Sequence, residues 1–406
     1  MQSTKDLDYA IGWNRFNLQL LGIWPSAEDD EKNAGISRYR YIVHAFFMLG
    51  FIVLPQSAYL FIVWGDLDLM TEDLATANVP TTIACMKMFV TRYHLETLKP
   101  LLSAFIEDWN RPKSVGERSV MLHNSKKART ISMLCTVMIL TMVSTYIFLR
   151  IVMITQMQRD QMEPDRTLIC PAYFPYDVRK TPVFHLTCLG QILAAYSSSV
   201  SYSSIDSFIS MLVLHVCSQM TNLRIALKNL VDRRSGKVRK TDDFIKELAA
   251  IVKRHEHLNR FAKSIEDSFN VLMLVQIVTC TMQVCFQSYQ VFTILGNEGE
   301  EFPTVQLCFL VLFVAVTLTH LYIYCYVGEM LIVQSSGMGE SAYESKWCNL
   351  SPKDARNLLF VMHRSAIPLR LTAGKFSTFS MKTFSDIVKT SMGYLSVLLT
   401  VSDQRN

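Results

Sequence analysis

Polar residues recurring at helical spacing within apolar surroundings are the first places where this chain could do chemistry. The sharpest case is TFSDIVKTSMGYLSVLLTV (Thr383 to Val401), too polar to sit alone in lipid yet too regular for a loop. Such a helix is tolerated at membrane depth when it lines a water-filled path or is buried in protein. Val397 and Thr400 lie three apart and share a face near the end of this stretch. A ring of Val397 side chains could close the path by dewetting, with Thr400 supplying a hydroxyl ring beside it. Gly393 and Ser396 are assigned to the same pore set. One such helix per chain implies a pore built by several subunits around an axis.

Ionisable residues inside apolar blocks are the next candidates, because they are costly there and default to functional roles. Asp206 follows the run Ser197 to Ser204, which implies close helix packing, so a helix–helix hydrogen bond is favoured over a ligand or ion partner. Lys87 is expected to snorkel inward, and Arg150 to the outer headgroups. The outer halves of the second to sixth apolar blocks carry many Phe, Tyr, Met and Ser residues, as an apolar pocket with a few orienting hydroxyls requires. Asn78, Thr82, Tyr146, Arg150, Tyr196, Phe286 and Tyr289 are the candidate ligand contacts.

Enzyme chemistry finds no foothold. There is no His-Glu-x-x-His pair, phosphate loop or dinucleotide fingerprint, and His255 and His257 are two apart and so face different ways on a helix. No cofactor or metal is expected. Most of the ten cysteines fall in apolar blocks and read as small hydrophobes. Cys170, in a polar segment, could pair with Cys188 or Cys308.

The elements that must position these residues are membrane spans. The chain is 50% hydrophobic and only 18% charged, where soluble domains carry about a quarter charged residues. The apolar residues come in blocks near the roughly 20-residue length that crosses a bilayer. These run from Tyr41 to Trp64, Leu74 to Tyr93, Ile131 to Leu149, Val183 to Leu223, Phe269 to Gly296, Pro303 to Val327 and Phe379 to Val401. No cleavable signal peptide is visible in the polar first 38 residues, so the first block must target the chain itself. Thirty-two Lys and Arg residues fall in segments on one side of the spans and five on the other. Cytoplasmic loops keep that excess, so the N-terminus is expected inside and the C-terminus outside. A G-protein-coupled receptor has the opposite orientation, and neither an Asp-Arg-Tyr nor an Asn-Pro-x-x-Tyr motif closes the third or seventh span. The net charge of +5 is scattered through loops and suggests no nucleic acid.

The fourth block would reach about 60 Å as a helix, so its lower end should project into the cytoplasm. Thr241 to Asp267 and Pro352 to Ile367 show three-to-four apolar spacing, the second capped by Ser351, and together would build a cytoplasmic anchor bundle. The expected architecture is an all-α membrane protein with seven transmembrane helices. Residues 1–334 would hold six spans and the pocket, 335–378 the anchor segment, and 379–406 the pore helix. Trp347, Leu358 and Met362 are assigned to subunit contacts in the anchor.

Four segments resemble the insect odorant receptor family. AYFPYD (Ala172 to Asp177) is similar to its second outer loop, and IDSFISMLVLHVCSQMTNLR (Ile205 to Arg224) carries its His-x-Cys-x-Gln pattern at His215, Cys217 and Gln219. SAYESKWCNL (Ser341 to Leu350) resembles the segment after its sixth span. PLRLTAGKFSTFSMKTFSDIVKTSMGYLSVL (Pro368 to Leu398) resembles its C-terminal signature. The resemblance implies an odorant-gated, non-selective cation channel: a tetramer in the plasma membrane of sensory dendrites, with a volatile ligand and a shared co-receptor. The short connection between the fourth and fifth spans points to an odour-tuning subunit. Aligned on Tyr394, the family's gate valine falls on Val397 and its polar neighbour on Thr400, and its aromatic pair in the fifth span maps to Phe286 and Tyr289. A metabotropic chemoreceptor and a secondary transporter are the alternatives, although no internal repeat of the kind transporters carry is visible.

Overall fold

The computed structural model describes residues 2–25, 31–159, 167–236, 241–296 and 304–403. The loop Asn297 to Phe302 and Arg405, both counted in the charge asymmetry, lie outside them. The chain is helical: α1 (Gln2–Leu20), α2 (Glu31–Met48), α3 (Leu54–Ile62), α4 (Leu67–Asp73), α5 (Val79–Tyr93), α6 (Leu95–Asn110), α7 (Val115–Arg159), α8 (Val183–Gly236), α9 (Thr241–Gly296), α10 (Thr304–Glu344), α11 (Pro352–Ser365) and α12 (Met381–Asp403). Among the described residues five helices are long and apolar enough to cross a membrane: Ala34–Ile62, Val115–Gln156, Val183–Asp232, Asp243–Leu295 and Leu307–Glu344. This is a helical membrane protein. The second and seventh expected spans, α5 and α12, fall short because Lys87 interrupts one and Lys382, Asp386 and Lys389 begin the other.

α8 is the axis of the fold. In its most apolar stretch 94% of residues are buried within the chain, so its apolar surface faces protein, and α7, α9 and α10 wrap it. That explains its serines: Ser201, Ser203, Ser204, Ser207 and Ser210 are small enough to let helices approach on every side. Ser201 Oγ donates to the Ala84 carbonyl of α5 at 3.0 Å.

The helices run well past a bilayer's thickness. α7, α8 and α9 have 45, 54 and 56 residues. The expected amphipathic helix from Thr241 is therefore one piece with the fifth span. α11 starts as expected, with the Ser351 hydroxyl accepting from the Asp354 N–H at 3.2 Å. Two further helices, α1 and α6, occupy stretches expected to be loops. α6 buries Leu98, Leu101, Leu102, Phe105 and Trp109 on one stripe.

In the same region Asp108 of α6 accepts from Arg254 of α9 at 2.5 Å and lies 3.0 Å from His215 Nε2 of α8, while Gln219 accepts from Arg254 at 3.1 Å. Burial alone would raise the Asp108 carboxyl, but the bond to His215 and the Arg254 charge hold it below the usual carboxylate range. The His-x-Cys-x-Gln pattern is thus a helix-fastening device: His215 and Gln219 share a face of α8, and Cys217 is buried beside them.

Among the described residues the strands form a single small hairpin, in which Thr372–Ala373 pairs with Ser377–Thr378. Gly374 and Lys375 take left-handed φ values of 58° and 65°, as a type I′ turn demands. The Gly374 N–H donates to the Asn270 carbonyl of α9 at 2.8 Å, and a Cβ there would meet Leu274 at 2.6 Å. This is what the Leu-Thr-Ala-Gly-Lys-Phe part of the C-terminal signature does: it pins the chain to α9 before α12 begins.

Candidate functional site: an apolar cavity and the last helix

Two prolines shape the first wall of a cavity between the helices. Pro55 and Pro80 each follow a turn widened to π geometry, Leu49–Val53 and Leu74–Asn78, where Leu54 N–H donates to Leu49 O and Val79 N–H to Leu74 O. Proline lacks the N–H that would continue the i to i−4 ladder, and a widened turn accommodates the loss. Ile52 comes from the first of these turns and Thr76 and Ala77 from the second, and all three line the cavity. The other walls are Pro80 and Thr81 of α5; Ile139, Met142, Val143 and Tyr146 of α7; Ala195, Ser198, Ser199 and Tyr202 of α8; Gln283 of α9; and Phe309, Phe313, Val316, Thr317 and His320 of α10. Its volume is about 80 Å³. That is space for roughly half a dozen waters, the scale of a small volatile molecule.

The roof is the segment just before Ala172–Asp177. Arg150 Nε donates to the Ile169 carbonyl at 2.8 Å and Nη2 to Leu168 O at 3.2 Å, while the Tyr146 hydroxyl donates to Ile169 O at 3.2 Å. Gln191 bonds both backbone groups of Cys170, which lines the cavity. Arg150 therefore fastens the roof instead of snorkelling to headgroups, because two orphan carbonyls lie within its reach. Each of the ten cysteines is a free thiol, Cys170 included. Beside the roof, burial pushes the Asp73 carboxyl up to about 6, against the 3.1 Å hydrogen bond it accepts from Asn78.

The floor is Tyr202 and His320, whose rings meet edge to face with centroids 5.3 Å apart. Beneath it Lys87 Nζ lies 3.5 Å from the Tyr202 ring centroid and 2.5 Å from Asp206 Oδ1, fully buried. The Tyr324 hydroxyl donates to the same Asp206 oxygen at 2.6 Å. Lys87 does not snorkel inward, because a carboxylate from α8 and an aromatic face meet its charge in place. Asp206 is a helix-to-helix group, as its serine-rich setting suggests, joining α5, α8 and α10. Tyr324 in turn packs at a tilt against Phe379, centroids 5.5 Å apart, two residues before α12. Gly328 permits that approach, since a Cβ there would meet Phe379 O at 2.5 Å.

α12 has two unlike faces. Ile387, Ser391 and Leu395, spaced four apart, are buried against the bundle, with Leu395 on Cys285 and Tyr289 of α9. Gly393, Ser396, Val397 and Thr400 fall together on the opposite, exposed face; Val397 is 62% exposed and Gly393 has open space beside it.

Of the residues assigned to the ligand, Tyr146 lines the cavity. Asn78 and Thr82 point to Asp73 and to each other, one face away from Ala77 and Thr81. The Tyr196 hydroxyl pairs with Ser144 at 2.9 Å outside the lining. Phe286 is half-buried outside it, and Tyr289 packs towards α12. In the anchor segment Leu358 is buried within the chain and Met362 partly so, whereas Trp347 presents surface; Leu359 and Phe360 of α11 are 60% and 72% exposed. Sequence reasoning passed over Tyr202, Gln283 and His320. The stripe Phe309, Phe313, Val316 and His320 has a readable helical period, but its cavity face is as apolar as a lipid face.

Comparison with known proteins agrees with this architecture. A sequence model of the 7tm Odorant receptor family matches residues 70–392. Odorant receptor 13a of Drosophila melanogaster is 24% identical over 95% of this chain and 94% of its own length. Odorant receptor 9a of the same species is 27% identical over 55% of this chain and 54% of its own. The olfactory receptor OR5 from Machilis hrabei, solved in complex with eugenol, superposes with a TM-score of 0.82 over 99% of this chain and 100% of its own, at 13% identity. With a helical membrane bundle, an apolar cavity between its helices and a family match over most of its length, the chain belongs to the insect 7tm odorant receptor family.

Proposed function

We propose that this chain is the odour-tuning subunit of a ligand-gated cation channel. A volatile, mostly apolar molecule occupies the cavity between α5, α7, α8, α9 and α10. The observation that carries this reading is the pairing of that cavity with the bare face of α12, which presents Gly393, Ser396, Val397 and Thr400 away from its own bundle. A face that mixes hydroxyls with a valine suits a water-filled axis shared with other subunits better than lipid. α5 and α12 then complete seven spans, with the N-terminus inside and the C-terminus outside. Residues 1–334 form the sensing bundle, 335–378 the anchor and 379–406 the pore element. The assembly is a tetramer with co-receptor subunits in the plasma membrane of sensory dendrites. Its contacts concentrate in the anchor, around Trp347 and α11 with its Leu358 and Met362. The ligand opens the pore because it binds the open arrangement better.

Filling the cavity tests the reading. Ala195→Trp places an indole in a space sized for a small molecule. It is expected to raise the concentration of an activating volatile needed for half-maximal current by about tenfold or more, as overpacking displaces the ligand. Surface expression measured on the same cells should stay near wild type. An unchanged dose–response curve would place the ligand elsewhere.

A further inference from the structure

The cavity is apolar in area, yet it holds hydrogen-bonding groups that the protein itself leaves unused. Several of its polar side chains are spoken for: Ser199 donates to Ala195 O at 2.8 Å, Thr317 donates to Phe313 O at 3.1 Å, and the Tyr202 hydroxyl accepts from Gln276 at 2.5 Å. Three are not. Thr81, Ser198 and Gln283 are each more than nine-tenths buried, line the cavity, and make no side-chain hydrogen bond to a described residue.

His320 is the fourth and the most selective. It is 2% exposed, and its Nδ1 lies 3.0 Å from the Val316 carbonyl, while Nε2 is buried with no partner. A carbonyl can only accept, so Nδ1 carries the proton. The neutral ring then leaves Nε2 a buried, bare acceptor within the wall that His320 contributes to the cavity. Hydroxyls and a carboxamide can serve a donor or an acceptor. Nε2 can serve only a donor, so it alone restricts what the ligand can be.

Resting on the channel reading above, we propose that the ligand is a volatile with a hydrogen-bond-donating head, an alcohol or phenol. Its hydroxyl donates to His320 Nε2 at the cavity floor, and its apolar body lies towards Phe313, Phe309 and Tyr146. The depth follows from the helices. His320 is the last lining residue of α10, as Tyr202 is of α8; their rings are in contact and Tyr202 stands over Lys87, while Phe309 lies at the other end of the α10 stripe beside Tyr146 of α7. A hydroxyl restores the bonds of whatever water it displaces there. An ether, ketone, ester or alkane leaves a buried acceptor unpaired.

The test is whole-cell current from this chain expressed with an odorant co-receptor. The probes are straight-chain alcohols from butanol to decanol, with methyl ethers and alkanes of matched length, and the set benzyl alcohol, anisole and ethylbenzene. The expected result is that alcohols activate at concentrations roughly tenfold or more below their matched ethers and alkanes. His320→Phe, which keeps a ring over Tyr202 and removes the acceptor, should level the series. Ethers or alkanes matching the alcohols in the wild-type chain would overturn the proposal, and that comparison does not depend on any variant folding. So would an alcohol preference that survives His320→Phe at the cell surface, or a chain that answers ketones, esters or hydrocarbons but no alcohol or phenol. Silence to every volatile, with both subunits at the surface, would instead remove the channel reading on which the proposal stands.

Discussion

Lys87→Met is expected to abolish ligand-evoked current, and the reason can be separated from misfolding. The substitution strands Asp206 in the bundle with the Tyr324 hydroxyl as the only donor bonded to it among the described residues. Breaking a buried pair on one side costs about 3–5 kcal/mol, so the single variant should also reach the surface poorly. Lys87→Met with Asp206→Leu removes both charges, and apolar replacement of a buried pair is often neutral or stabilising. The double variant should therefore recover surface expression. Its evoked current should still fall by about tenfold or more, a loss of coupling worth over 1 kcal/mol. The physical basis is continuity of contact. The cavity floor, Tyr202, rests on Lys87; Lys87 holds Asp206; Asp206 holds Tyr324; and Tyr324 packs against Phe379 at the head of α12. A variant that breaks transmission without breaking the fold shows that this path carries the coupling. Wild-type evoked current in the double variant would reduce the cluster to a structural role.

Val397→Thr should produce the second large effect, in the opposite sense. Threonine copies the shape of valine but carries a hydroxyl, so a constriction that excludes water by being apolar would wet. Basal current in the absence of ligand should rise several-fold, and the evoked increment should shrink in proportion. Val397 is 62% exposed and makes no contribution to the buried core, so the substitution should change stability by no more than about 0.5 kcal/mol. The matched control is Leu395→Thr, on the buried face of the same helix, which should lower expression without raising basal current. Unchanged basal and evoked currents in Val397→Thr would move the gate off this face.

Much of the architecture was legible because apolar blocks of membrane length leave a strong mark. The long projecting helices, the Ser351 cap and the role of the serine run around Asp206 followed from spacing alone. What escaped did so for physical reasons. α6 carries the stripe Leu98, Leu101, Phe105 and Trp109, but its basic neighbours read as a cytoplasmic loop. A widened turn changes no residue type, so only Pro55 and Pro80 hinted at the two that line the cavity. Lys87 and Asp206 are 119 residues apart, and no local pattern announces that a buried charge has found its partner. The residues that line the cavity were the hardest to read. In a membrane bundle the face toward lipid and the face toward an apolar cavity have the same composition, so Tyr196 and Phe286 looked as good as Tyr202 and Phe313. The exposed face of α12 was easier, because Gly393, Ser396 and Thr400 break the apolar pattern around Val397.

The measurement that bears most directly on this account is whole-cell current from the chain with and without an odorant co-receptor, with a non-hydrolysable guanine nucleotide in the pipette. A cation current is expected that rises within milliseconds of a volatile's arrival, needs the co-receptor and ignores the nucleotide. A slow response locked on by the nucleotide, or uptake saturating at carrier rates without channel-sized currents, would contradict it.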